Sequence, residues 1–187
     1  FRLEYEKRFS GRNHRLMADA DFEFGWDRDD SDLTEITNTG TATTVQQRSF
    51  SDEDYREFRF DINYEQPVGE NAKFEAGGRA NFDWMDNDYV IEELRGSEWI
   101  IPENMGVNDN FTYCENVNAL YLIYAGGAGK VSYQLGARAE NTRIETKLDQ
   151  TGAGSDQNYL NLFPSAFLSY QLNEKNSFQI NYSRRIS

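Results

Sequence analysis

The chain has 187 residues, enough for one domain with a sizeable core, and 14% of them are aromatic, chiefly 13 Phe and 11 Tyr. A formal net charge of −13 argues against unguided binding to nucleic acid or to an anionic membrane surface. A mean hydropathy of −0.80 excludes a helical membrane protein, but not a membrane barrel, whose lumen-facing and loop residues are polar. The longest apolar run, 119–129, is too short and too glycine-rich to span as a helix. Phe and Tyr in abundance, with 14 Gly against 3 Pro, favour strands over a helical bundle. Cys114 stands alone, so there is neither an internal disulfide nor a thiolate metal cluster.

The chain opens directly on a strand pattern, with Phe1, Leu3, Tyr5, Lys7 and Phe9 alternating against Arg2, Glu4, Glu6 and Arg8. A polar turn, 10–14, leads to a second segment with Leu16, Ala18, Ala20, Phe22, Phe24 and Trp26 on one face and Asp19, Asp21 and Glu23 on the other. The stretch 27–52 has no periodicity and reads as a long polar loop. The third segment sets Phe58, Phe60, Ile62 and Tyr64 against Arg59, Asp61, Asn63 and Glu65. A turn at 66–72, containing Pro67 and Gly69, precedes a fourth segment in which Phe74, Ala76, Gly78, Ala80, Phe82 and Trp84 alternate with Glu75, Gly77, Arg79, Asn81 and Asp83. A second long loop is expected at 87–110. In the fifth segment, 111–125, apolar residues fall on both parities and its facing stays open. A glycine-rich turn at 126–130 precedes a sixth segment carrying Val131, Tyr133, Leu135, Ala137 and Ala139 on one face. A third loop, 145–158, leads to two last segments joined by the turn 173–176, the final one alternating Phe178, Ile180 and Tyr182 with polar residues.

These segments describe an all-β, antiparallel up-and-down meander of about eight long strands, part of a transmembrane β-barrel. Short turns of roughly four to seven residues alternate with loops of roughly fourteen to twenty-six, the grammar of outer-membrane barrels with short turns on the periplasmic side. Strands of roughly nine to fourteen residues exceed the soluble mean and suit a tilted membrane strand. Trp26 and Trp84 lie at the long-loop ends, Tyr64, Phe74, Tyr133, Tyr170 and Phe178 beside the short turns, and small residues such as Ala76, Gly78 and Ala137 between them. Sorting by depth in this way resembles two aromatic girdles. Both ends of the sequence lie inside strand patterns, Phe1 at one and Arg184-Arg185-Ile186-Ser187 at the other, so the expectation is a fragment, 1–187 being a single segment of a barrel domain.

The segment NLFPSAFLSYQLNEKNSFQINYSRRIS (161–187), preceded by YQLGARAENTRIE (133–145), resembles the barrel of a TonB-dependent receptor of the Gram-negative outer membrane protein β-barrel branch. Leu162-Phe163-Pro164-Ser165, the Leu172-Asn173-Glu174-Lys175-Asn176 turn and the Tyr182-Ser183-Arg184-Arg185 end carry the likeness; before Tyr133 only the pattern matches. The resemblance implies a 22-stranded barrel around an N-terminal plug, taking up scarce nutrients with energy from the inner-membrane TonB complex. On that reading the plug and the remaining strands lie outside this sequence. The implied location is the outer membrane of a Gram-negative bacterium. The implied partners are outer-membrane lipid, an unknown nutrient ligand and, through the missing parts, the TonB complex, with no nucleic acid, no enzymatic activity and no cofactor. Two alternatives stand beside it: a passive porin or structural barrel closing on its own eight strands, and a soluble β-sandwich interaction module. In isolation the segment either closes as a small barrel or packs sheet on sheet.

Candidate site residues are few. Asp27, Asp29, Asp30 and Asp32 offer oxygen ligands to a hard cation such as calcium, but without the glycine and distal glutamate of an EF-hand loop; a solvated acidic loop is the simpler reading. Tyr89 and Trp99, in the second long loop, are ligand-contact candidates by stacking, against a simple packing role. Arg59, Asp61, Glu75, Arg79, Asp83, Arg138 and Glu140 mix both signs on the lumen side, as a salt-bridged wall or a substrate path. His14, the one histidine, sits in a turn without a nucleophile beside it, so a catalytic role is not expected.

Overall fold

The structure, a computed structural model, describes residues 1–11, 13–39, 41–102 and 108–184. The Arg185 that ends the family-like motif lies outside them. Among the described residues nine strands form one antiparallel sheet: β1 (Arg2–Arg8), β2 (Arg15–Thr39), β3 (Thr41–Val68), β4 (Ala72–Arg95), β5 (Glu98–Ile100), β6 (Asp109–Ala128), β7 (Val131–Leu148), β8 (Gly154–Asn173) and β9 (Asn176–Ser183). The order is β1-β2-β3-β4-β6-β7-β8-β9, each strand beside its chain neighbour, with the short β5 attached to the outer end of β4. The meander is the one the alternation predicts.

The strands are much longer than the sequence suggests. Β2 and β3 stay paired from Arg15↔Glu65 out to Thr39↔Thr41, so the stretch 27–52 is not a loop but the distal half of a hairpin. Likewise 87–110 is largely strand, with β4 running to Arg95, β5 turning back on it and β6 starting at Asp109. The third expected loop shrinks to 149–153 between β7 and β8. The physical reason is that a backbone ladder satisfies its own N–H and C=O groups whatever the side chains are. Once two long strands are in register, polar residues extend the ladder into water; periodicity marks only where one face is apolar.

At the opposite end the connections are tight: 9–14, 69–71, 129–130 and 174–175. Gly69 (φ 65°) and Gly129 (φ 58°) take left-handed conformations that a side chain would strain, and Asn13 (φ 59°) is a non-glycine residue type that tolerates the same region.

Among the described residues no second layer covers this sheet. Among the described residues the buried hydrophobic core is Ala119 alone, at 3% exposure, and no large side chain is fully buried. Leu120 and Ile180 are each 71% exposed, and Trp26 is 78% exposed. A soluble sandwich would bury one face against another sheet, so that alternative fails. The small closed barrel fails too, because β1 and β9 stand at opposite ends of an unclosed sheet.

Candidate functional site

Directly opposed residues in an antiparallel ladder point to the same face. Following the pairs across the sheet therefore sorts every strand residue. One such row runs Leu16, Tyr64, Ala76, Leu122, Ala137, Pro164 and belongs to the outer, apolar face. The next row inside the lumen carries Met17, Asn63, Gly77, Tyr121, Arg138 and Phe163. The open question of the fifth segment is thereby answered: Leu120, Leu122 and Tyr124 face outward, while Ala119, Tyr121 and Ile123 face the lumen.

The apolar band does not run straight along these rows. On β2 it extends outward from Leu16 to Trp26; on β6 it straddles the row of Leu16 as Leu120, Leu122 and Tyr124; on β9 it lies wholly toward the short turns as Tyr182, Ile180 and Phe178. The band thus slips about one residue per strand, which at a rise of about 3.3 Å and a spacing of about 4.8 Å corresponds to a strand tilt of roughly 35–40°. From Phe74 to Trp84 on β4 the band measures, with that tilt, about 26 Å in height, close to the ~25 Å of a barrel's lipid belt. The girdles stand at its margins. Phe22, Phe58 and Phe82 share one row and Trp26 and Trp84 lie beyond it, while at the short-turn side Tyr124 and Tyr133 pack at 6.0 Å and Tyr170 opposes Phe178. Beyond Trp26, β2 continues to Thr39, with the same tilt about 34 Å farther into the extracellular space.

The lumen face is a polar wall. Arg79 pairs with Asp61 at 2.6 Å, Arg138 with Glu140 at 2.7 Å, and Arg59 bridges Glu57 at 2.6 Å while donating to Asn81 at 3.2 Å. Lys73 pairs with Glu75. These are the mixed-sign lumen residues expected from the sequence, and most of them are ion-paired along or across strands. One lumen row is acidic across four successive strands, with Glu23, Glu57, Asp83 and Glu115 on β2, β3, β4 and β6, before it continues as Ile144 and Gln157. Tyr113 donates to Glu115 at 2.9 Å. Below that row lies a depression of about 400 Å³ bordered by Arg2, Asp19, Asp61, Arg79, Tyr121 and Arg138. Tyr121 reaches it because Gly77 has no side chain: a Cβ there would overlap the Tyr121 ring and the Ile62 carbonyl. Its hydroxyl donates to Asn63 at 2.6 Å, tying β6 to β3 across β4. The sequence offers no signal for this contact, since Tyr121 sits where both parities are apolar.

The remaining candidates scatter. Asp27 and Asp29 fall on the lumen side of β2, Asp30 and Asp32 on the outer side, and Arg28 holds Asp52 at 3.3 Å and Asp30 at 3.7 Å. Among the described residues no group of three or more His, Cys, Asp or Glu is gathered as a metal site. Tyr89 is on the lumen side of β4, whereas Trp99 opposes Leu94 on the outer side, so the two do not share a surface. Trp99 is occupied by Arg48, whose guanidinium stands 4.5 Å from the ring centre and pairs with Glu92. His14 stacks on Phe9 at 4.4 Å and meets the Tyr64 hydroxyl at 2.9 Å, a packed turn at the periplasmic girdle. Cys114 is half-buried opposite Trp84.

Two contacts that the sequence does not announce organise the extracellular ends. Asn108 accepts from the Ile91 amide at 2.5 Å and donates to its carbonyl at 3.2 Å, so a side chain replaces a strand partner at the edge of β4. Asp109, at 6% exposure, accepts from the backbone amides of Gln150 at 2.7 Å and Thr151 at 3.3 Å, clamping the 149–153 connection onto β6. The Gln150 amide is the main reason its carboxyl stays below the usual Asp range, with Thr151 and Asn110 adding to it.

Comparison with known proteins agrees with this geometry. Residues 7–187 match the family model described as the outer membrane protein beta-barrel family. No curated protein matches the chain. Among solved structures, the ferric citrate transporter FecA in its unliganded form superposes with a TM-score of 0.51 at 13% identity, over 86% of this chain and 25% of that one. At that identity the likeness is one of fold, and this chain spans about a quarter of the transporter's length. A lipid-facing band, a polar wall and a family match over nearly the whole length lead to one placement: this chain belongs to the outer membrane protein beta-barrel family and is part of a barrel wall in the Gram-negative outer membrane.

Proposed function

We propose that the chain forms part of the wall and extracellular rim of a TonB-dependent receptor, which takes up a nutrient with energy supplied through the TonB complex. The role is transport, without catalysis, in a single barrel domain whose plug and further strands lie elsewhere in the protein. The observation that carries this reading is the two-sided sheet: an apolar band outside, and inside it a largely polar, ion-paired wall beneath hairpins, the longest of which projects about 34 Å beyond the lipid. A barrel that merely anchors needs no such hairpins, and the shared fold with a ferric citrate transporter favours carriage of a solute. Ligand selection belongs to those hairpins, 27–52 and 87–110, where Tyr89 lies on the lumen side.

The test is uptake by cells producing the complete protein. Removal of 27–52 or 87–110 should abolish saturable uptake while leaving the barrel assembled, and loss of TonB or of the inner-membrane proton gradient should do the same. Uptake that persists unchanged without TonB and without the gradient would identify a passive porin instead.

A further inference from the structure

Near the extracellular margin of the outer face, Arg56 is a cation that the ion-pair ladders among the described residues leave unused. Outward of the row Phe22, Phe58, Phe82, the next outer-face row is Phe24, Arg56, Trp84. Arg56 is exposed, and its guanidinium carbon stands 4.8 Å from the centre of the Trp84 ring. Other outer-face arginines near this height are neutralised: Arg28 by Asp52 at 3.3 Å, and Arg143 by Asp156 at 3.1 Å and by Glu145. Among the described residues no carboxylate lies within 4.0 Å of the Arg56 guanidinium. The next row outward, Trp26, Asp54, Asp86, is acidic at two of its three positions.

An arginine that points into lipid is costly unless its head reaches the headgroup layer, and its aliphatic stem can lie on apolar surface while it does so. Here the stem leaves the phenylalanine row and the head is at the level of the outer tryptophans. A planar guanidinium matches two oxygens of a phosphate, and stacking on Trp84 holds the plane without consuming its donors. We propose that Arg56, braced by Trp84, binds the phosphate of an anionic lipid headgroup in the outer leaflet, with the acyl chains along Phe22, Phe58 and Phe82. The lipid is favoured over a soluble anion by the surroundings. Asp54 and Asp86 present negative charge to anything arriving from the water, whereas a lipid phosphate arrives within the membrane plane, continuous with the apolar band.

The complete protein, purified from outer membranes and stripped of lipid, should retain phosphatidic acid over phosphatidylcholine when the two compete for the first bound lipid in native mass spectrometry. Arg56→Gln should reduce that preference roughly tenfold, the scale of one charge-assisted hydrogen bond. Trp84→Leu should weaken it less, and Arg28→Gln should leave it unchanged. Heat-modifiable migration verifies that each variant is folded; should Arg56→Gln not assemble, Arg56→Lys, which keeps the charge and loses the fork, should show an intermediate preference. Equal retention of both lipids by the unaltered protein, or an Arg56→Gln protein that keeps its preference, would overturn the proposal. Displacement of phosphatidic acid by inorganic phosphate at comparable concentration would assign Arg56 to a soluble anion and overturn the lipid assignment.

Discussion

The inner and outer halves of the β2–β3 hairpin share one uninterrupted ladder and differ almost completely in what surrounds them. Between Ala18 and Phe24 the side chains of β2 alternate apolar and acidic; between Asp27 and Thr39 they do not alternate. Leu122, in the first kind of environment, and Leu33, in the second, are nearly equal in exposure at 56% and 57%. Exposure alone therefore fails to distinguish a residue that meets lipid from one that meets water. Position along the tilted band does, and the difference shows that the backbone decides where strands run while the side chains decide only what medium they run through.

The sharpest way to break this comparison is to place the same charge in both environments, on β6 inside the lipid band and on the distal part of β2. Leu122→Arg should destabilise the folded barrel by about 2–4 kcal/mol, since the guanidinium must enter hydrocarbon. Leu33→Arg should change stability by no more than about 0.5 kcal/mol. Urea unfolding of the complete protein in lipid vesicles measures both, and equal costs would mean that the band has been misplaced.

A smaller effect is expected on the lumen side. Gly77→Val puts branched carbons where the Tyr121 ring lies, which should cost about 1–3 kcal/mol by overpacking and break the Tyr121–Asn63 hydrogen bond. The Tyr121 side-chain resonances would report the displacement directly. If the ring keeps its place, the close approach of β6 over β4 is not what positions it.

The extracellular half offers a test by pH. The Asp109 carboxyl titrates below its ordinary value because backbone amides donate to its charged form. A depressed folded value means that the stabilisation is fully present above the unfolded value of about 3.9 and is lost only as pH falls through the lower, folded one. Hydrogen exchange at Gln150 and Thr151, corrected for intrinsic rates, should stay slow from neutral pH into the ordinary Asp range and accelerate only below it. Asp109→Ala should expose both amides at neutral pH without altering exchange in the membrane half.

The smallest effect belongs to the wall's ion pairs. Arg79→Gln removes a half-exposed partner of Asp61 and should cost about 0–1 kcal/mol. A larger loss of stability would show that the lumen lattice acts as a network rather than as separate pairs.

The candidate site was legible in the sequence to the extent that its residues obey a period of two. Arg59, Asp61, Arg79, Arg138 and Glu140 could be put on one wall from parity alone; Arg59 and Arg138 pair two residues away on their own strands, and only the Arg79–Asp61 pair needs a neighbouring strand. Tyr89 and Trp99 could not be sorted, because the stretch containing them looked like loop; only the continuing register of β3 with β4 and of β4 with β5 sends them to opposite faces. The acidic row Glu23, Glu57, Asp83, Glu115 was hidden for a different reason. Each carboxylate is ordinary in its own strand, and the row exists only once four strands are aligned.

By itself the sequence determined the class of protein, the order of its strands, the facing of the clearly alternating ones and the short-turn side, since alternation, turn residues and girdle aromatics are local and each reports a medium on one side of the chain. Tertiary structure decided where the strands end, how the apolar band tilts across them and which side chains meet: Arg56 with Trp84, Tyr121 across Gly77, Asp109 with the 149–153 turn. These depend on register, a relation between strands far apart in the chain. A single strand carries no record of it, because shifting a partner by two residues would preserve every face and change every neighbour.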